Sequence, residues 1–425
     1  MVTDIDRETL TPTRFRSFLG SLMELLDDVG RQSLKETLEL LDEPRAQVER
    51  DGQSLRYRGK AKRQWLTAMG RITVVRRTYR GDGRGAKSTV PLDVACGMSN
   101  RYMTPDVEQM SMFAAAMVTP RETQDLLAKT LPEAPSATAI QNAMRRNGAA
   151  ISRHRKTIED AICEQRPLSA DGDTLVVSWD GVMAPLRETS KIGWREAGVA
   201  TVSVYSQSAD GPEKKDTRYL AQMPESGMVT LLEQVVDQVR RATDGRTFRE
   251  FAIVCDGKES IWDAAASHPE LRSAVWILDF YHASENLMKA AKAIFGDDEV
   301  AAHRWHGKLR KKLLHEANGA DSAIRSMRRY RNGLSRSGQR AKTVDNAIKY
   351  FCFHRHRMCY VEFAEMGLPI GSGNVESAAK NIVQARLKRS GMRWSRDGGQ
   401  HVLDLRTYLK SDRWEVMWDT IQGAA

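Results

Sequence analysis

Cysteine is scarce in this 425-residue chain, and long apolar runs are absent. The five cysteines, Cys96, Cys163, Cys255, Cys352 and Cys359, are odd in number and form no Cys-x-x-Cys pair. This pattern excludes a disulfide scaffold and a structural zinc knuckle. No apolar stretch approaches the roughly 20 residues that a membrane helix needs, and the acidic N-terminus lacks a signal-peptide pattern. We therefore expect a cytoplasmic protein that does not enter a membrane.

The composition is that of an ordinary globular protein with a basic surplus. Hydrophobic residues make up 41% of the chain and charged residues 28%, and the formal net charge is +10. The length allows two or three domains. A modest positive surplus fits a polyanionic partner, which releases counterions on binding. The run from Arg325 to Lys342 contains no acidic residue and is a concentrated source of positive charge.

The first 100 residues predict a helical and β-hairpin region that binds DNA. Apolar residues recur at three- and four-residue spacing between residues 11 and 50, which indicates helices. Between Leu55 and Tyr79 the pattern becomes strand-like, with Ile72–Val75 following Gly70 and several arginines nearby. This favours a basic hairpin or small sheet. The glycine-rich segment 81–88 is predicted to be a loop.

Residues 101–168 predict a second, helical DNA-binding domain. Short helices from Thr104 to Gly148 are separated by prolines, and the last one begins at Ser136 and carries Arg145 and Arg146. A polar, basic third helix is typical of a helix-turn-helix, with the two arginines toward DNA. A plain helical bundle that links two domains is the alternative. Residues 151–165 are predicted to form a separate helical connector.

From residue 169 onward the pattern predicts a mixed α/β sheet. Two β-branched strands and a short third precede an amphipathic helix, and a fourth strand, a helix and a fifth strand follow. The predicted strands cover residues 174–179, 197–205, 218–222, 251–255 and 274–278. Residues 284–366 are predicted to be a helical insertion between the two parts of this core, 169–283 and 367–425.

Two predicted strands end in Asp-Gly, at Asp180 and at Asp256. Carboxylates at the carboxyl ends of neighbouring strands lie where open α/β sheets bind ligands. Mg²⁺ and Mn²⁺ prefer carboxylate oxygens, and phosphoryl transfer often uses two such ions about 4 Å apart. A single Asp-Gly is more often only a strand-ending turn.

A third acid follows a glycine-rich turn. In the stretch Pro369–Lys380, a Gly-Ser-Gly turn leads to Asn374, predicted as a helix cap, and fixes Glu376 on the first helical turn. The sequence thus predicts that Asp180, Asp256 and Glu376 together hold a Mg²⁺ or Mn²⁺ pair. Residues 381–396 are predicted to continue as a basic helix, on which Trp394 either stacks on an unpaired base or packs in the core. The cations expected to grip a DNA backbone are Arg386, Lys388, Arg389 and Arg393.

A fourth acid, Asp279, follows the fifth strand and precedes His282. It is an alternative to Asp256 as the second metal carboxylate. Asp256 is preferred because its strand is predicted to lie next to the strand of Asp180. Asp279 and His282 are then expected to contact the metal ligands rather than the metal and so to orient them, although a lone histidine is more often structural.

These motifs resemble those of DDE transposases of bacterial insertion sequences, most closely the ISKra family and more distantly the mutator-like group. The resemblance covers residues 173–409, and its motifs are SWDGV around Asp180, VCDG around Asp256, DFYHASENL from Asp279, and PIGSGNVESAAKNIVQARLKRSGMRWS from Pro369. It implies a ribonuclease H-like core, an Asp-Asp-Glu metal triad and a bacterial, nucleoid-associated enzyme. Related proteins often carry a cysteine-rich, zinc-like segment, but residues 79–85 contain no cysteine, so no zinc is expected.

The resemblance implies cleavage at the ends of a mobile element and joining to target DNA. Water attacks the phosphodiester at the element end, and the freed 3′-hydroxyl then attacks the target. The expected partners are double-stranded DNA, as terminal inverted repeats and target, and a second copy of the chain in a homodimer or larger assembly. Two alternatives remain: a catalytically silent, domesticated transposase that acts as a DNA-binding regulator or scaffold, and a nuclease or resolvase built on the same core.

Overall fold

A computed structural model of the chain describes residues 10–50, 52–82, 86, 88–187, 192–335 and 337–423. The chain divides into two compact units, residues 1–154 with 418–425 and residues 155–417. The first unit contains most of the predicted N-terminal regions, and the second contains the predicted catalytic core. Within the predicted loop at residues 81–88, positions 83–85 and 87 lie outside the described residues.

A long helix and a four-stranded antiparallel sheet form the first part of the smaller unit. The sheet has the order β1-β2-β3-β4. Helix α1 begins after Thr11, whose hydroxyl accepts a hydrogen bond from Arg14 N at 3.3 Å, and runs unbroken to Leu41. The helical prediction is wrong for the end of the range 11–50, because Gln47–Arg50 form a strand. Strands β2 and β3 pair antiparallel, which confirms the predicted hairpin, and Leu38 of α1 is buried in one cluster with Trp65 and Val74 of these strands. The elements are α1 (Pro12–Leu41), β1 (Gln47–Arg50), β2 (Gln53–Thr67), β3 (Gly70–Arg80) and β4 (Ser88–Thr89).

Four helices follow the sheet in sequence, and the last of them extends beyond residue 154. They are α2 (Pro91–Ala95), α3 (Pro105–Met117), α4 (Pro120–Leu127) and α5 (Ala137–Gln165). Ser136 caps α5 as predicted, because Ala139 N donates to its Oγ at 3.2 Å. The prediction of a short helix and a separate connector is wrong, since α5 continues without a break for 29 residues. Asn147 lies inside α5, and its side-chain amide donates to Ala143 O at 2.9 Å.

The larger unit is built on a mixed five-stranded sheet with the order β7-β6-β5-β8-β9. The strands β5, β6 and β7 form an antiparallel meander, and β8 and β9 run parallel to β5. All five predicted strands are present, and the mixed α/β class is confirmed. The strands are β5 (Thr174–Arg187), β6 (Ile192–Ser208), β7 (Gly211–Gln222), β8 (Glu250–Cys255) and β9 (Val275–Leu278).

Helices pack on this sheet and then form the predicted insertion. The apolar side of α6, including Val235 and Val239, is buried with the strand residues Val177 and Ile253 in one core. That core continues into the insertion through Trp305 and Met327. The helices are α6 (Val229–Thr243), α7 (Glu259–Ser267), α8 (Pro269–Arg272), α9 (Phe280–Phe295), α10 (Glu299–His315), α11 (Gly319–Arg331), α12 (Gln339–His354) and α13 (Tyr360–Glu365).

After the insertion the chain returns to the sheet. It forms α14 (Gly373–Ala378), a π-helical segment (Ala379–Gln384), α15 (Ala385–Leu387), α16 (Arg396–Lys410) and α17 (Trp414–Gly423). The prediction of one basic helix over residues 381–396 is wrong beyond Leu387. Gly391 has a φ of +76°, a conformation that ends helical geometry. The backbone of Trp394 then pairs with the end of β5, because Arg187 N donates to Trp394 O at 2.7 Å.

None of the helices in the described ranges is long and apolar enough to cross a membrane. The predicted domain boundaries near residues 100, 168, 283 and 366 stay predictions.

Candidate active site

Asp180 lies within β5, just beyond the part of that strand that pairs with β8. The parallel pairing ends at Val177 with Ile253, while β5 continues to Arg187 as one arm of a hairpin with β6. The prediction that the strand ends at Asp180 is therefore wrong. The consequence for the site is small, because Asp180 still lies beyond the last β5–β8 pair. Its Oδ1 accepts a hydrogen bond from Gly181 N at 2.6 Å.

Asp256 follows β8 immediately and approaches Asp180 from the neighbouring strand. Its Oδ1 accepts a hydrogen bond from Lys258 N at 3.0 Å, which fixes the carboxylate in a turn at the end of the strand. Burial raises the pKa of the Asp180 carboxyl above its ordinary value; the hydrogen bond from Gly181 opposes this effect, and the Asp256 carboxylate adds to it. The half-buried carboxylates of Asp180 and Asp256 therefore repel each other, and each lies just beyond the paired segment of two adjacent parallel strands.

Asp279 is fully buried and connects the start of α9 to the glycine-rich turn before α14. Its Oδ1 accepts from His282 N at 2.8 Å and caps α9, and its Oδ2 accepts from Ser372 N. The adjacent Phe280 N donates to Ile370 O at 2.9 Å. Both carboxylate oxygens of Asp279 therefore bind backbone amides that hold the turn in place.

Glu376 lies on the first turn of α14, as predicted. The predicted cap is wrong, however, since the N-cap residue is Ser372 and Asn374 lies inside the helix. Asn374 instead fixes the helix to the sheet: its amide nitrogen donates to Ser203 Oγ at 2.7 Å, and its oxygen accepts from Lys214 Nζ at 2.9 Å. A Cβ at Gly371 would lie 3.0 Å from the Tyr281 ring, so a larger residue here would require the tyrosine ring to shift.

His282 connects the acids of the two halves of the core. Its Nε2 lies 4.0 Å from Glu376 Oε1, and its positive form lowers the pKa of Asp180 against the effect of burial. Asp180 interacts electrostatically with Asp256 and His282, and His282 lies near Glu376; we call these four residues the acidic cluster. Within the described residues, no three His, Cys, Asp or Glu side chains are placed to hold a metal ion in this conformation.

A family model matches residues 13–420 of the chain. The chain belongs to the uncharacterised protein family UPF0236. No curated protein matches it. The UPF0236 match covers the acidic cluster and all but the first 12 residues of the two predicted DNA-binding regions.

Several residues around the acidic cluster of this UPF0236 protein were missed by the sequence analysis. Glu196 of β6 occupies the space that a side chain at Gly181 would fill, and it forms an ion pair with Lys258 at 2.6 Å. Tyr350 of α12 occupies the corresponding space at Gly257. Burial raises the pKa of Tyr350, and the nearby Asp256 and Asp279 raise it further. The two Asp-Gly glycines were the only sequence signal for these contacts.

Beside the cluster lies a cavity of about 520 Å³ with an apolar floor and charged walls. Trp179, Leu231 and Ile261 contribute apolar surface, and the charged lining is mixed, with Arg195, Lys258 and Arg396 beside Glu196 and Glu225. A space of this size is large enough for a small ligand.

The predicted DNA-binding residues near the C-terminal part of the core separate into two groups. Lys388, Arg389 and Arg393 are exposed. Arg386 is fully buried, with its guanidinium 5.8 Å from the centre of the Trp394 ring. A buried side chain cannot grip a DNA backbone, so the prediction for Arg386 is wrong. Trp394 is half-buried against the core, and its Nε1 donates to Leu387 O at 3.2 Å.

The two arginines of the predicted helix-turn-helix also differ. Arg145 is exposed, whereas Arg146 forms an ion pair with the fully buried Glu108 at 2.6 Å. Arg146 therefore compensates a buried charge within the smaller unit. Nine residues, 128–136, connect α4 and α5, more than the three or four of a typical helix-turn-helix. The helix-turn-helix stays a prediction.

Proposed function

We propose that this chain is a DNA transposase of the DDE type, which cleaves DNA at the ends of an insertion sequence and joins the freed ends to target DNA. The observation that carries the proposal is the acidic cluster. Three acids that lie far apart in sequence, Asp180, Asp256 and Glu376, come from two adjacent strands and a helix, and His282 lies among them.

The sheet supports a ribonuclease H-like core for this enzyme. An antiparallel three-stranded meander with two further strands parallel to its first strand is the arrangement expected of that fold. The central strand β5 carries the first acid, and its parallel neighbour β8 leads directly into the second. The helical insertion lies between β9 and the helix that carries Glu376.

The chemistry of the acids fits a divalent cation. Asp180 and Asp256 offer oxygen ligands, which Mg²⁺ and Mn²⁺ prefer, and their mutual repulsion is a cost that a bound cation would relieve. Glu376 is the third oxygen donor, with a side chain 43% exposed. These three residues would hold the ions, which stabilise the charge that develops at a phosphodiester during phosphoryl transfer.

Asp279 and His282 are assigned a positioning role in this proposal. Because both oxygens of Asp279 already accept backbone hydrogen bonds, Asp256 is the better candidate for the second ligand. His282 lies 4.0 Å from Glu376 and interacts electrostatically with Asp180, and it would orient the carboxylates or contact the phosphate. The protein itself positions DNA and reacting groups, and no covalent protein intermediate is required.

Positive charge on the helical insertion supports DNA as the substrate. Residues 284–366 contain 17 lysines and arginines against nine acids, a surplus of eight in a chain whose net charge is +10. Arg304, Lys308 and Lys311 are exposed along one face of α10, because residues four and seven positions apart lie above one another on a helix. Exposed Arg325 and Arg329 lie on the next helix, α11. Such a surface suits a phosphate backbone.

A catalytically silent DNA-binding regulator is the second candidate. It is favoured by one observation: the described acids do not form a complete metal site in this conformation. In that case the basic surface would bind DNA while the acidic cluster performs no chemistry.

The two candidates are separated by incubating the full chain with Mg²⁺ and cloned DNA that contains the genomic sequence on either side of its gene. Strand nicking and strand joining are read separately on labelled DNA. Nicking followed by joining at the element ends supports the transposase. Nicking without joining indicates a nuclease or resolvase, and DNA binding without nicking indicates the regulator.

Matched variants connect the activity to the site. Asp180→Asn and Glu376→Gln each remove one negative charge from the acidic cluster with little change in size. Asp210→Asn makes the same change at an exposed turn residue between β6 and β7. The transposase proposal requires that the first two variants lose nicking and joining together while the third keeps both.

A further inference from the structure

The backbone turn that carries Asp256 is held by side chains from two helices. Asp256 follows the last residue of β8, and the pairing of β8 with β9 ends at Cys255. Beyond that point Trp262 Nε1 of α7 donates to Asp256 O at 3.1 Å. His354 Nε2, at the C-terminal end of α12, donates to Gly257 O at 3.1 Å. The two carbonyl groups that follow the strand are therefore bound by side chains rather than by the sheet.

A second hydrogen bond fixes which ring nitrogen of His354 faces this turn. Arg357 Nη1 donates to His354 Nδ1 at 3.1 Å. A guanidinium offers donors only and a carbonyl oxygen only accepts, so Nδ1 carries no hydrogen and Nε2 carries one. The imidazole is thereby held as the tautomer that can donate to Gly257 O.

Arg357 is itself fixed by aromatic packing. Its side chain is buried, and its guanidinium lies 4.5 Å from the centre of the Trp262 ring. The centre of the His354 ring lies 4.7 Å from that of Tyr350, which occupies the space beside Gly257. These four side chains, Trp262, Tyr350, His354 and Arg357, form one packed group, which we call the turn clamp.

The turn clamp acts against a repulsion within the site. The Asp256 carboxylate raises the pKa of Asp180, so the two charges disfavour each other. Because Asp256 lies beyond the last pair of the sheet, a turn held by the sheet alone could move away from Asp180. Most of the turn clamp belongs to the helical insertion, since Tyr350 and His354 lie on α12 and Arg357 follows it.

We infer that His354 is a positioning residue, whose hydrogen bond to Gly257 O, set by Arg357, holds the turn that carries Asp256. The helical insertion then fixes the second acid of the site in addition to offering a basic surface. The catalytic importance of this contact rests on the proposed function, whereas its effect on the turn does not.

Two amide variants of His354 isolate the contact with Gly257. In His354→Asn the side-chain oxygen can accept from Arg357 near the position of Nδ1, but the side chain is too short to reach Gly257 O. His354→Gln is one methylene longer and can donate to Gly257 O from near the position of Nε2. Val344→Ala, at a buried site of α12 about three turns earlier, controls for a general loss of helix stability.

Hydrogen exchange at Lys258 N reports on the turn without metal, because this amide donates to Asp256 Oδ1. Exchange should be at least about fivefold faster in His354→Asn than in the parent. In His354→Gln and Val344→Ala it should stay within about twofold of the parent. Exchange that is unchanged in His354→Asn overturns the inference.

The affinity for Mn²⁺ tests the consequence for the site. The dissociation constant should rise about 10–100-fold in His354→Asn and stay close to that of the parent in His354→Gln. Faster exchange at Lys258 with an unchanged dissociation constant overturns the positioning role. A parent that binds no Mn²⁺ contradicts the proposed function instead, and exchange at Lys258 alone then decides whether His354 holds the turn.

Nitrogen NMR of the histidine rings supplies a test that needs no folded variant. In the parent chain, the His354 ring should carry its hydrogen on Nε2 and none on Nδ1. A hydrogen on Nδ1 would leave Gly257 O without this donor, and the inference would then be wrong.

Discussion

The imidazole Nε2 of His282 lies 4.0 Å from Oε1 of Glu376. This contact joins the first turn of α9, directly after the last strand, to the first turn of α14, directly after the helical insertion. Asp279 stabilises the same junction by accepting hydrogen bonds from His282 N and Ser372 N. The insertion thus leaves and rejoins the core at one place, and the acids of both halves meet there.

Replacing His282 with glutamine should lower strand cleavage without abolishing DNA binding. Glutamine keeps a hydrogen-bonding group but cannot carry positive charge beside Asp180 and Glu376. Loss of a residue that orients metal ligands typically costs about 10–100-fold in activity or metal affinity. The measurement is the nicking rate at saturating DNA, with DNA affinity determined in parallel. Unchanged nicking would show that His282 is only structural.

Asp180→Asn should make the metal-free protein more stable at neutral pH. Since the folded protein raises the pKa of Asp180, folding favours the protonated carboxyl. This contribution is fully present below the unfolded pKa of about 3.9 and is lost as the pH rises through the folded pKa. Asparagine resembles the protonated acid, so its advantage should appear at neutral pH and vanish in acid.

Thermal unfolding with and without Mg²⁺ checks this prediction. Each kcal/mol gained in the free energy of unfolding should raise the Tm by about 2–4 °C. Mg²⁺ should raise the Tm of the parent more than that of the variant, because it relieves repulsion that the variant lacks. An Asp180→Asn protein that is less stable than the parent at neutral pH without metal would mean that the carboxylate is compensated by other groups.

Asp279→Asn should destabilise the turn before α14. Both oxygens of Asp279 accept backbone N–H groups, and an asparagine NH₂ would face one of those donors. Hydrogen bonds to charged groups are worth about 1.5–3 kcal/mol, so we expect a loss of that order in the free energy of unfolding. Hydrogen exchange at Ser372 N should accelerate more than exchange in α6, which serves as an internal control. Equal protection at Ser372 in both proteins would argue against this role.

Gly257→Ala should disturb the packing of α12 on the site. A Cβ at this position would overlap the ring of Tyr350, and overpacking of this kind typically costs about 1–3 kcal/mol. Tyr350→Ala removes the obstacle, so the double variant should lose less stability than the sum of the two single variants. A double-mutant cycle in urea measures the coupling. Additive losses would show that the alanine is accommodated without contact to Tyr350.

The strands of the core and the pairing of the strand of Asp180 with the strand that precedes Asp256 were predictable from the sequence. β-branched runs mark each strand, and the chain order places the fourth strand beside the first. The helical insertion was equally visible, because residues 284–366 contain little that interrupts helical periodicity. These features depend on local pattern and on the rules that connect neighbouring elements.

The features that were missed depend on contacts between distant segments. β5 continues past Asp180 because β6 pairs with it, and nothing in the residues around Asp180 indicates that partner. Arg386 belongs to a basic stretch, yet the segment folds back at Gly391 and places Trp394 over it. Glu196 reaches the site only because Gly181 leaves room for its side chain.

Manganese binding tests the central claim most directly. The parent chain should bind Mn²⁺ in a titration followed by electron paramagnetic resonance, and Asp210→Asn should bind it equally well. The triple variant Asp180→Asn, Asp256→Asn, Glu376→Gln should lose this binding. If the triple variant binds Mn²⁺ as tightly as the parent, the three acids do not form the metal site and the proposed catalytic centre is wrong.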